Sequence, residues 1–253
     1  MSEAVERQLF DHVATAYDAY RPDYPPQLFD ALESALGQPL LRAEVLDVGA
    51  GTGIVTRALA GRGSTVVAID PGPGVLSVLR SRSTARVRPV VADGNALPLR
   101  DGFFDLVTYG QSFHWTDPER SVPEAARVLH DRGILAVFWN LLMVDGQPWW
   151  EAFADECERL CPTYDRRQRD IEWGAALERS PMFRWVRRVD IPWVRDVSVE
   201  DFVRDYSSHS YVAALAVEDQ VRVLDQLRTG LSADFPGEQA HLPYVTRTWV
   251  ARR

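Results

Sequence analysis

The residues best suited to chemistry form a short glycine-rich segment near the start of an apolar, alternating region. Residues 49–53 read Gly-Ala-Gly-Thr-Gly, directly after the apolar run Val45–Val48 and before an apolar helical pattern. Glycine lets the chain turn sharply and brings backbone N–H groups close to a ligand. The segment therefore predicts a nucleotide-type binding loop between a strand and a helix.

The spacing of the glycines separates two kinds of nucleotide loop. A dinucleotide fingerprint, G-x-G-x-x-G, would place its third glycine at position 54, but that position is Ile54 and the third glycine is Gly53. The next apolar run ends at Asp70, where an acid accepts hydrogen bonds from the hydroxyls of a ribose. Asp70 indicates an adenosine without choosing the cofactor, so NAD stays open as the weaker alternative.

Elements that would position this loop alternate along residues 44–140. The predicted strands are Val45–Val48, Thr65–Ile69, Val87–Ala92, Phe104–Tyr109 and Gly133–Trp139. The predicted helices between them are Ile54–Ala60, Gly74–Arg82 and Pro118–Leu129. Apolar strands that alternate with helices are typical of a parallel sheet with helices on both faces, an α/β fold.

The flanking regions predict helices and two further strands. Residues 1–40 read as helical, with a second helix from Pro26 to Leu36 that ends at Gly37, and residues 141–182 as a mostly helical insert. The remaining predicted elements are a strand Phe183–Val194 broken by Pro192, helices Val199–Tyr206 and Val217–Arg228, and a final strand Tyr244–Val250. No internal repeat is visible, so residues 1–253 are expected to form a single domain.

Composition and charge limit the classes of molecule to which the chain is expected to bind. The 253 residues carry 36 acids against 28 bases, a net charge of -8, which disfavours nucleic acid and anionic membranes as partners. Every base is an arginine, so no mechanism can use a lysine. No apolar run approaches the roughly 20 residues of a membrane span, and the first residues lack the apolar middle of a secretory signal. We expect a cytoplasmic protein without a metal site.

The ordered set of motifs resembles that of class I S-adenosylmethionine-dependent methyltransferases. Besides the loop and Asp70, the matching segments are residues 92–99, the run Phe-Asp-Leu-Val and its following loop over 104–115, residues 124–129 and residues 134–137. The resemblance implies a Rossmann-like, seven-stranded, mostly parallel sheet with an antiparallel C-terminal strand. It implies S-adenosylmethionine as methyl donor and S-adenosylhomocysteine as product. The implied cofactor contacts are Gly49, Ala50, Gly51, Thr52, Gly53, Asp70, Asp93, Gly94, Asn95 and Gln111.

The N-terminal residues resemble those of a small-molecule subgroup related to the trans-aconitate type. That resemblance implies an N-terminal helical cap over residues 1–40, a cofactor-binding core over 41–140, a substrate cap over the insert 141–182, and a C-terminal part of the sheet and helices over 183–253. It also implies that Tyr17 and Arg21 contact the methionine carboxylate, for which a guanidinium is well suited. An ordinary solvated arginine beside a proline is the alternative for Arg21.

The implied reaction is an in-line displacement at an activated methyl group, for which the protein mainly holds the reactants and excludes water. The histidines predicted as base or acceptor-orienting groups are His114 and His209, with packing as the alternative for each. The residues predicted to line an acceptor site are Trp115, Trp139, Trp149, Tyr206 and Tyr211. The acceptor is expected to be a small molecule, and the atom methylated and the oligomeric state stay open.

Two other functions remain as alternatives. The first is a binding protein that retains the cofactor pocket without transferring a methyl group. The second is an NAD-dependent oxidoreductase. A nucleic-acid methyltransferase is disfavoured because no Asn/Asp-Pro-Pro-Tyr/Phe motif follows the fourth strand.

Overall fold

The computed structural model describes residues 18–161 and 164–253, which fall into two compact units. Of these residues, unit 1 contains 18–22, 141–161, 164–171 and 192–245. Unit 2 contains 23–140, 172–191 and 246–253. Single-domain organisation, with its cap, core and insert, stays a prediction.

A seven-stranded sheet with the order β3-β2-β1-β4-β5-β7-β6 organises the fold. The strands are β1 Glu44–Val48, β2 Thr65–Asp70, β3 Val87–Val91, β4 Phe104–Gly110, β5 Leu129–Leu142, β6 Trp185–Ser198 and β7 Gln239–Arg252. β1 pairs in parallel with β2 and β4, β2 with β3, and β4 with β5. The mixed, mostly parallel Rossmann-like sheet confirms the predicted fold class.

The C-terminal strand, β7, runs antiparallel to both of its neighbours, β5 and β6, so β6 keeps the direction of the parallel strands. Arg253 N donates to Gly133 O at 3.1 Å, whereas Met143 N donates to Pro243 O at 2.8 Å. The residue numbers therefore rise on one side of the β5–β7 pairing as they fall on the other, which is the antiparallel pattern.

Nine α-helices are described. They are α1 Pro26–Leu36, α2 Ile54–Gly61, α3 Pro73–Ser81, α4 Pro118–Val128, α5 Pro148–Leu160, α6 Gly174–Glu178, α7 Val199–Ser207, α8 Ser210–Ala213 and α9 Val217–Asp234. α1 ends as predicted at Gly37, whose φ of 79° and N–H to Glu33 O form a left-handed C-cap.

Each unit has its own hydrophobic core. In unit 2, fully buried side chains of α1 and α2 pack against β1, β4 and β5, for example Leu32, Leu59 and Leu106. In unit 1, Trp149 and Phe153 of α5 share a core with Phe202 of α7. Burying one such side chain stabilises a fold by about 1.5–3 kcal/mol, so these cores fix the elements from which the loops emerge.

Several predicted boundaries are wrong. β5 begins at Leu129 rather than Gly133, and β7 begins at Gln239 rather than Tyr244. β6 is not broken at Pro192, because it is an edge strand and a proline there deprives no neighbouring strand of a hydrogen bond. The short helix α8 was not predicted, and α9 extends six residues beyond Arg228 to Asp234.

Within residues 18–161 and 164–253, no helix combines the length and apolarity needed to cross a membrane. The same residues hold no group of three or more His, Cys, Asp or Glu side chains arranged to bind a metal ion. Cys157 and Cys161 are free and buried. Burial raises the pKa of the Cys157 thiol to about 12, which makes it unreactive at neutral pH.

Candidate active site

The glycine loop between β1 and α2 is tightly packed at its ends and open in its middle. Gly49, Gly51 and Gly53 all have positive φ, at 68°, 55° and 95°. A Cβ on Gly49 would lie 2.4 Å from Ser112 Cβ, and one on Gly53 would lie 2.8 Å from Leu79 Cγ. Around the same position on Gly51 nothing lies within 4 Å. The loop therefore forms a cradle whose open residue is Gly51.

Asp70, at the end of β2, contacts that open residue. Its Oδ2 accepts a hydrogen bond from Gly51 N at 2.9 Å, and its Oδ1 accepts one from Gly72 N at 2.8 Å. The two backbone amides fix the carboxylate beside the cradle, at the position where an acid recognises a ribose.

The structure adds a buried acid, Asp47, which is not among the site residues predicted from the sequence. It is 1% exposed and accepts hydrogen bonds from Thr56 Oγ1 at 2.6 Å and Thr108 Oγ1 at 2.9 Å. Burial raises the pKa of Asp47 to about 6. The side chain thus ties β1 to α2 and β4 just before the loop. Its sequence signal is a single acid inside an otherwise apolar strand.

The segment Asp93-Gly94-Asn95, after β3, is held against its neighbours. Asp93 Oδ1 accepts from Asn95 N at 2.9 Å, and Asn95 Oδ1 accepts from Asp117 N at 2.8 Å. A Cβ on Gly94 would lie 2.8 Å from Val48 Cγ1, so glycine is required for this approach to β1. Asp93 itself is exposed.

Gln111, after β4, has a strained backbone. Its φ is 55°, a left-handed conformation that costs a non-glycine residue roughly 1–2 kcal/mol. Its N–H donates to Phe138 O at 2.9 Å, and the next residue, Ser112, donates through Oγ to Val48 O at 2.6 Å. The bonds to β5 and β1 hold this loop against the glycine loop, so the predicted cofactor contacts of unit 2 share one edge of the sheet.

An aromatic cluster lies around the turn that follows β4, wholly within unit 2, and also takes residues from β5 and β7. Trp139 and Trp173 are stacked with centroids 5.3 Å apart and 16° between their planes, and Trp249 meets Trp139 edge-on at 5.8 Å. The ring centroids of His114 and Trp115 lie 4.8 Å apart, and Trp115 is 52% exposed. The sequence predicts Trp115, Trp139 and His114 for the site, whereas Trp173 and Trp249 join the cluster only through the fold.

His114 is held by its aromatic neighbours. Its Nδ1 lies 3.4 Å from Trp139 Nε1, and an indole N–H is only a donor. Burial lowers the pKa of His114 to about 4. The imidazole is therefore neutral at pH 7, with Nδ1 as acceptor and the proton on Nε2.

The predicted residues Arg21 and His209 belong to a buried polar network in unit 1. Arg21 Nε lies 3.3 Å from Asp205 Oδ1, and its Nη1 lies 3.0 Å from His209 Nε2. Because a guanidinium only donates, His209 Nε2 accepts and Nδ1 carries the proton, which faces Asp205 O at 3.3 Å. Burial, and then the charge of Arg21, lower the pKa of His209 well below its ordinary value.

The remaining predicted residues lie elsewhere in unit 1 or outside the described chain. Trp149 and Tyr206 are 6% and 5% exposed and belong to the hydrophobic core. Tyr211 packs on Tyr164 with centroids 4.5 Å apart. An acceptor contact by these residues stays a prediction. Tyr17 lies outside the described residues.

A mostly parallel sheet with an open glycine loop after its first strand and an acid at the end of its second is the arrangement of Rossmann-like folds, which commonly bind nucleosides. Comparison with known proteins makes the class narrower. Residues 46–137 match the methyltransferase domain family. An uncharacterized methyltransferase of Mycobacterium tuberculosis is 32% identical over 94% of this chain and 92% of its own length. The chain belongs to the class I S-adenosylmethionine-dependent methyltransferases.

Other similarities cover less of the sequence or only the fold. A malonyl-[acyl-carrier protein] O-methyltransferase of Geobacter sulfurreducens is 36% identical over 51% of each chain. A structure from Anaeromyxobacter dehalogenans, described as a candidate type II methyltransferase, has a TM-score of 0.70 at 23% identity and covers 92% of this chain and 97% of its own. Phosphoethanolamine N-methyltransferase 2 of Haemonchus contortus, solved with S-adenosyl-L-methionine, has a TM-score of 0.56 at 15% identity and covers 96% of this chain and 57% of its own.

The residues present fit the cofactor that this family uses. The space beside Gly51 is a cradle that a Cβ would fill, so a ligand can approach the loop backbone there. The Asp70 carboxylate lies directly beside it through the bond to Gly51 N. An open backbone and an adjacent fixed acid are the two features that an adenosine needs at this edge of the sheet.

Proposed function

We propose that the chain transfers a methyl group from S-adenosylmethionine to a small-molecule acceptor by in-line displacement. The observation that carries the proposal is the cradle that is open at Gly51 and bordered by the Asp70 carboxylate. The malonyl-[acyl-carrier protein] O-methyltransferase relative supports a small acceptor group. The N-methyltransferase structure with S-adenosyl-L-methionine supports the cofactor.

Within unit 2, each loop has a proposed part in holding the cofactor. Asp70 would accept hydrogen bonds from the ribose hydroxyls, and Asp93 and Asn95 would border the adenine. The glycine loop and Gln111 would border the methionine part. The strain at Gln111 agrees with a functional constraint, since such conformations persist where the surrounding structure enforces them.

The cofactor supplies an already activated methyl group on its sulfonium, so the chain needs no strong catalytic group of its own. Its residues would bind the donor, align the acceptor and exclude water. A base is required only when the acceptor must lose a proton. Both proposed histidines are neutral at pH 7, and the Nε2 lone pair of His209 is directed to Arg21.

Calorimetric titration with S-adenosylmethionine, S-adenosylhomocysteine and NAD tests the cofactor class. We expect saturable binding of the first two ligands and none of NAD. Binding of NAD alone would instead favour the oxidoreductase. Conversion of S-adenosylmethionine to S-adenosylhomocysteine with an acceptor would distinguish an enzyme from a binding protein.

Gly51→Val tests the position of the cofactor. Its side chain would fill the cradle, so S-adenosylhomocysteine affinity should fall at least about tenfold, equivalent to about 1.4 kcal/mol. Gly102→Val is the matched control, because Gly102 has a φ of 61° and also has nothing within 4 Å of its Cβ position. Both variants carry the same backbone strain, so an equal loss of affinity in both would remove the loop from the proposed site.

A further inference from the structure

The aromatic cluster of unit 2 consists of a stacked pair, an edge-on indole, a half-exposed indole and an imidazole. Its members are Trp139, Trp173, Trp249, Trp115 and His114. They come from β5, β7, the residue before α6, and the turn after β4. The fold therefore brings together residues that lie more than one hundred positions apart in the sequence. The turn with His114 and Trp115 follows the carboxyl end of β4, the side on which ligands bind in open α/β sheets, whereas Trp139 and Trp249 lie within β5 and β7.

The imidazole in this cluster is surrounded by rings that carry no charge. Phe113 and Trp115 belong to its own turn, Trp139 approaches from β5, and Trp173 approaches with a centroid distance of 6.4 Å. None of these four side chains titrates, and the downward pKa shift of His114 has burial as its only cause. The bond from Trp139 Nε1 occupies Nδ1, so Nε2–H is the polar group that His114 can offer to a ligand.

We propose that His114, with Trp115, Trp139 and Trp173, forms a binding site for a planar, π-rich ligand, in which Nε2–H donates a hydrogen bond to an oxygen or ring nitrogen. The inference rests on the proposed function, for which this ligand would be the methyl acceptor. His114 takes no proton from it and positions it. A cationic ligand is disfavoured because an N–H donor would face its positive charge. Trp115, which is 52% exposed, offers a flat surface suited to a flat ring, whereas Trp139 is 8% exposed and has Trp173 stacked on it.

The tautomer of His114 tests the donor role without any acceptor. In protein labelled with ¹⁵N-histidine, two-bond ¹H–¹⁵N spectra distinguish protonated from unprotonated ring nitrogens, and the His114→Gln spectrum assigns the signals among the five histidines. We expect Nε2–H with bare Nδ1, unchanged between pH 5.5 and 8. An Nδ1–H tautomer, or a titration midpoint near 6.5, would overturn the proposal.

Removing the indole N–H of Trp139 tests whether its hydrogen bond determines the tautomer of His114. Trp139→Phe should remove the hydrogen bond to His114 Nδ1 and give a mixture of the two imidazole tautomers. Trp249→Phe is the matched control, because it removes an indole N–H from the same cluster without removing the bond to His114. Retention of pure Nε2–H in Trp139→Phe would contradict the assigned hydrogen bond, whether or not that variant loses stability.

Ligand preference tests the site itself. Quinoline and naphthalene share a shape, but only quinoline has a ring nitrogen that accepts a hydrogen bond. In protein saturated with S-adenosylhomocysteine at pH 7.5, quinoline should quench tryptophan fluorescence saturably and bind about three- to tenfold more tightly than naphthalene. His114→Ala should abolish that preference and His114→Gln should retain it. Trp115→Ala should weaken both ligands about two- to tenfold.

The outcomes separate this inference from the proposed function. Equal affinity for the two probes would overturn the donor role, and absence of binding by both would overturn the aromatic site. If S-adenosylhomocysteine binds while both probes fail, the cofactor assignment survives and only the inference about the acceptor falls. If S-adenosylhomocysteine itself fails to bind, the proposed function fails and the inference fails with it.

Discussion

At the scale of single residues, Asp47 shows how a buried carboxylate shapes the loop and leaves a pH signature. Its oxygens accept from Thr56 on α2 and Thr108 on β4, so it joins three elements where β1 enters the glycine loop. Burial penalises the charged form more than these two hydroxyls favour it, which is why the pKa of Asp47 rises to about 6. The folded protein therefore binds a proton more readily than the unfolded chain.

Asp47→Asn should reveal this linkage. Because the folded-state pKa exceeds the unfolded value near 3.9, the stabilising contribution is complete below about pH 4 and is lost as pH rises through 6. Between pH 5 and 7.5, the wild-type free energy of unfolding should fall by about 1.4 kcal/mol more than that of Asp47→Asn, which cannot titrate. Urea unfolding at both pH values measures the difference. Parallel pH profiles for the two proteins would show that Asp47 is ionised at pH 5.

Asp47, Trp173 and Trp249 define where residue-level prediction from sequence stops. The glycine spacing and Asp70 could be assigned to a predicted cofactor loop from sequence, because a ligand loop needs particular residue types within a short segment. From the sequence, Asp47 is recognisable only as a single acid in an apolar strand. Its hydrogen-bond partners on α2 and β4 can be identified only when the pairing of the strands is known. Trp173 and Trp249 carry no local pattern, and only the fold brings them to Trp139.

At the scale of elements, the close approach between α5 and α9 depends on a glycine, Gly230, at their contact. A Cβ on Gly230 of α9 would lie 2.4 Å from Trp149 Cβ and 3.2 Å from Trp149 Cα. The second atom is backbone, so a rotation of the tryptophan side chain cannot relieve the clash and the helices must separate. Glycine here weakens the helix and is required by the packing.

Gly230→Ala separates these two effects. Helix propensity alone would stabilise the variant by about 1 kcal/mol, whereas overpacking costs about 1–3 kcal/mol. Because the clash involves backbone, we expect a net loss of about 1–2 kcal/mol in the free energy of unfolding. Ser232→Ala, at an exposed position of the same helix, is the control and should change it by less than about 0.5 kcal/mol. A stabilised Gly230→Ala would mean that α9 does not pack this closely on α5.

The bounds of helices and strands could be predicted where an apolar period coincided with residues that begin or end a helix. They could not be predicted where they depended on the position of a strand in the sheet. α1 was placed correctly because prolines begin it and Gly37 ends it. Pro192 indicated a break, but β6 lies at the sheet edge, a fact that pairing order alone reveals. α8 has only four residues, too few to show a helical period.

At the scale of the whole molecule, the two units contain different parts of the predicted chemistry. Unit 2 holds the predicted cofactor contacts from Gly49 to Gln111 and the aromatic cluster, whereas unit 1 holds Arg21 and His209. The parallel half of the sheet was predictable because βα alternation repeats along the chain. Residues 141–161, 164–171 and 192–245 lack that repeat, and their assignment to unit 1 comes from long-range packing.

Ligand binding should stabilise the molecule through the loops of unit 2. At a concentration of 100 times its Kd, S-adenosylhomocysteine should add about 2.7 kcal/mol to the free energy of unfolding, which raises Tm by about 5–10 °C. Asp70→Ala removes the proposed ribose contact together with the acceptor for Gly51 N and Gly72 N. If affinity falls tenfold, the added free energy at the same ligand concentration drops to about 1.4 kcal/mol and the Tm shift is halved.

Each Tm shift is measured against the same variant without ligand, so any stability that Asp70→Ala loses through its two backbone bonds is subtracted. Asp131→Ala is the matched control, because Asp131 is an exposed acid outside the loops and should keep the full shift. Hydrogen exchange then locates the effect. Slower amide exchange at residues 49–53 and 70–72 is expected with ligand, because a bound adenosine would cover these backbones. A full shift in Asp70→Ala, or unchanged exchange in both segments, would place the ligand away from the glycine loop.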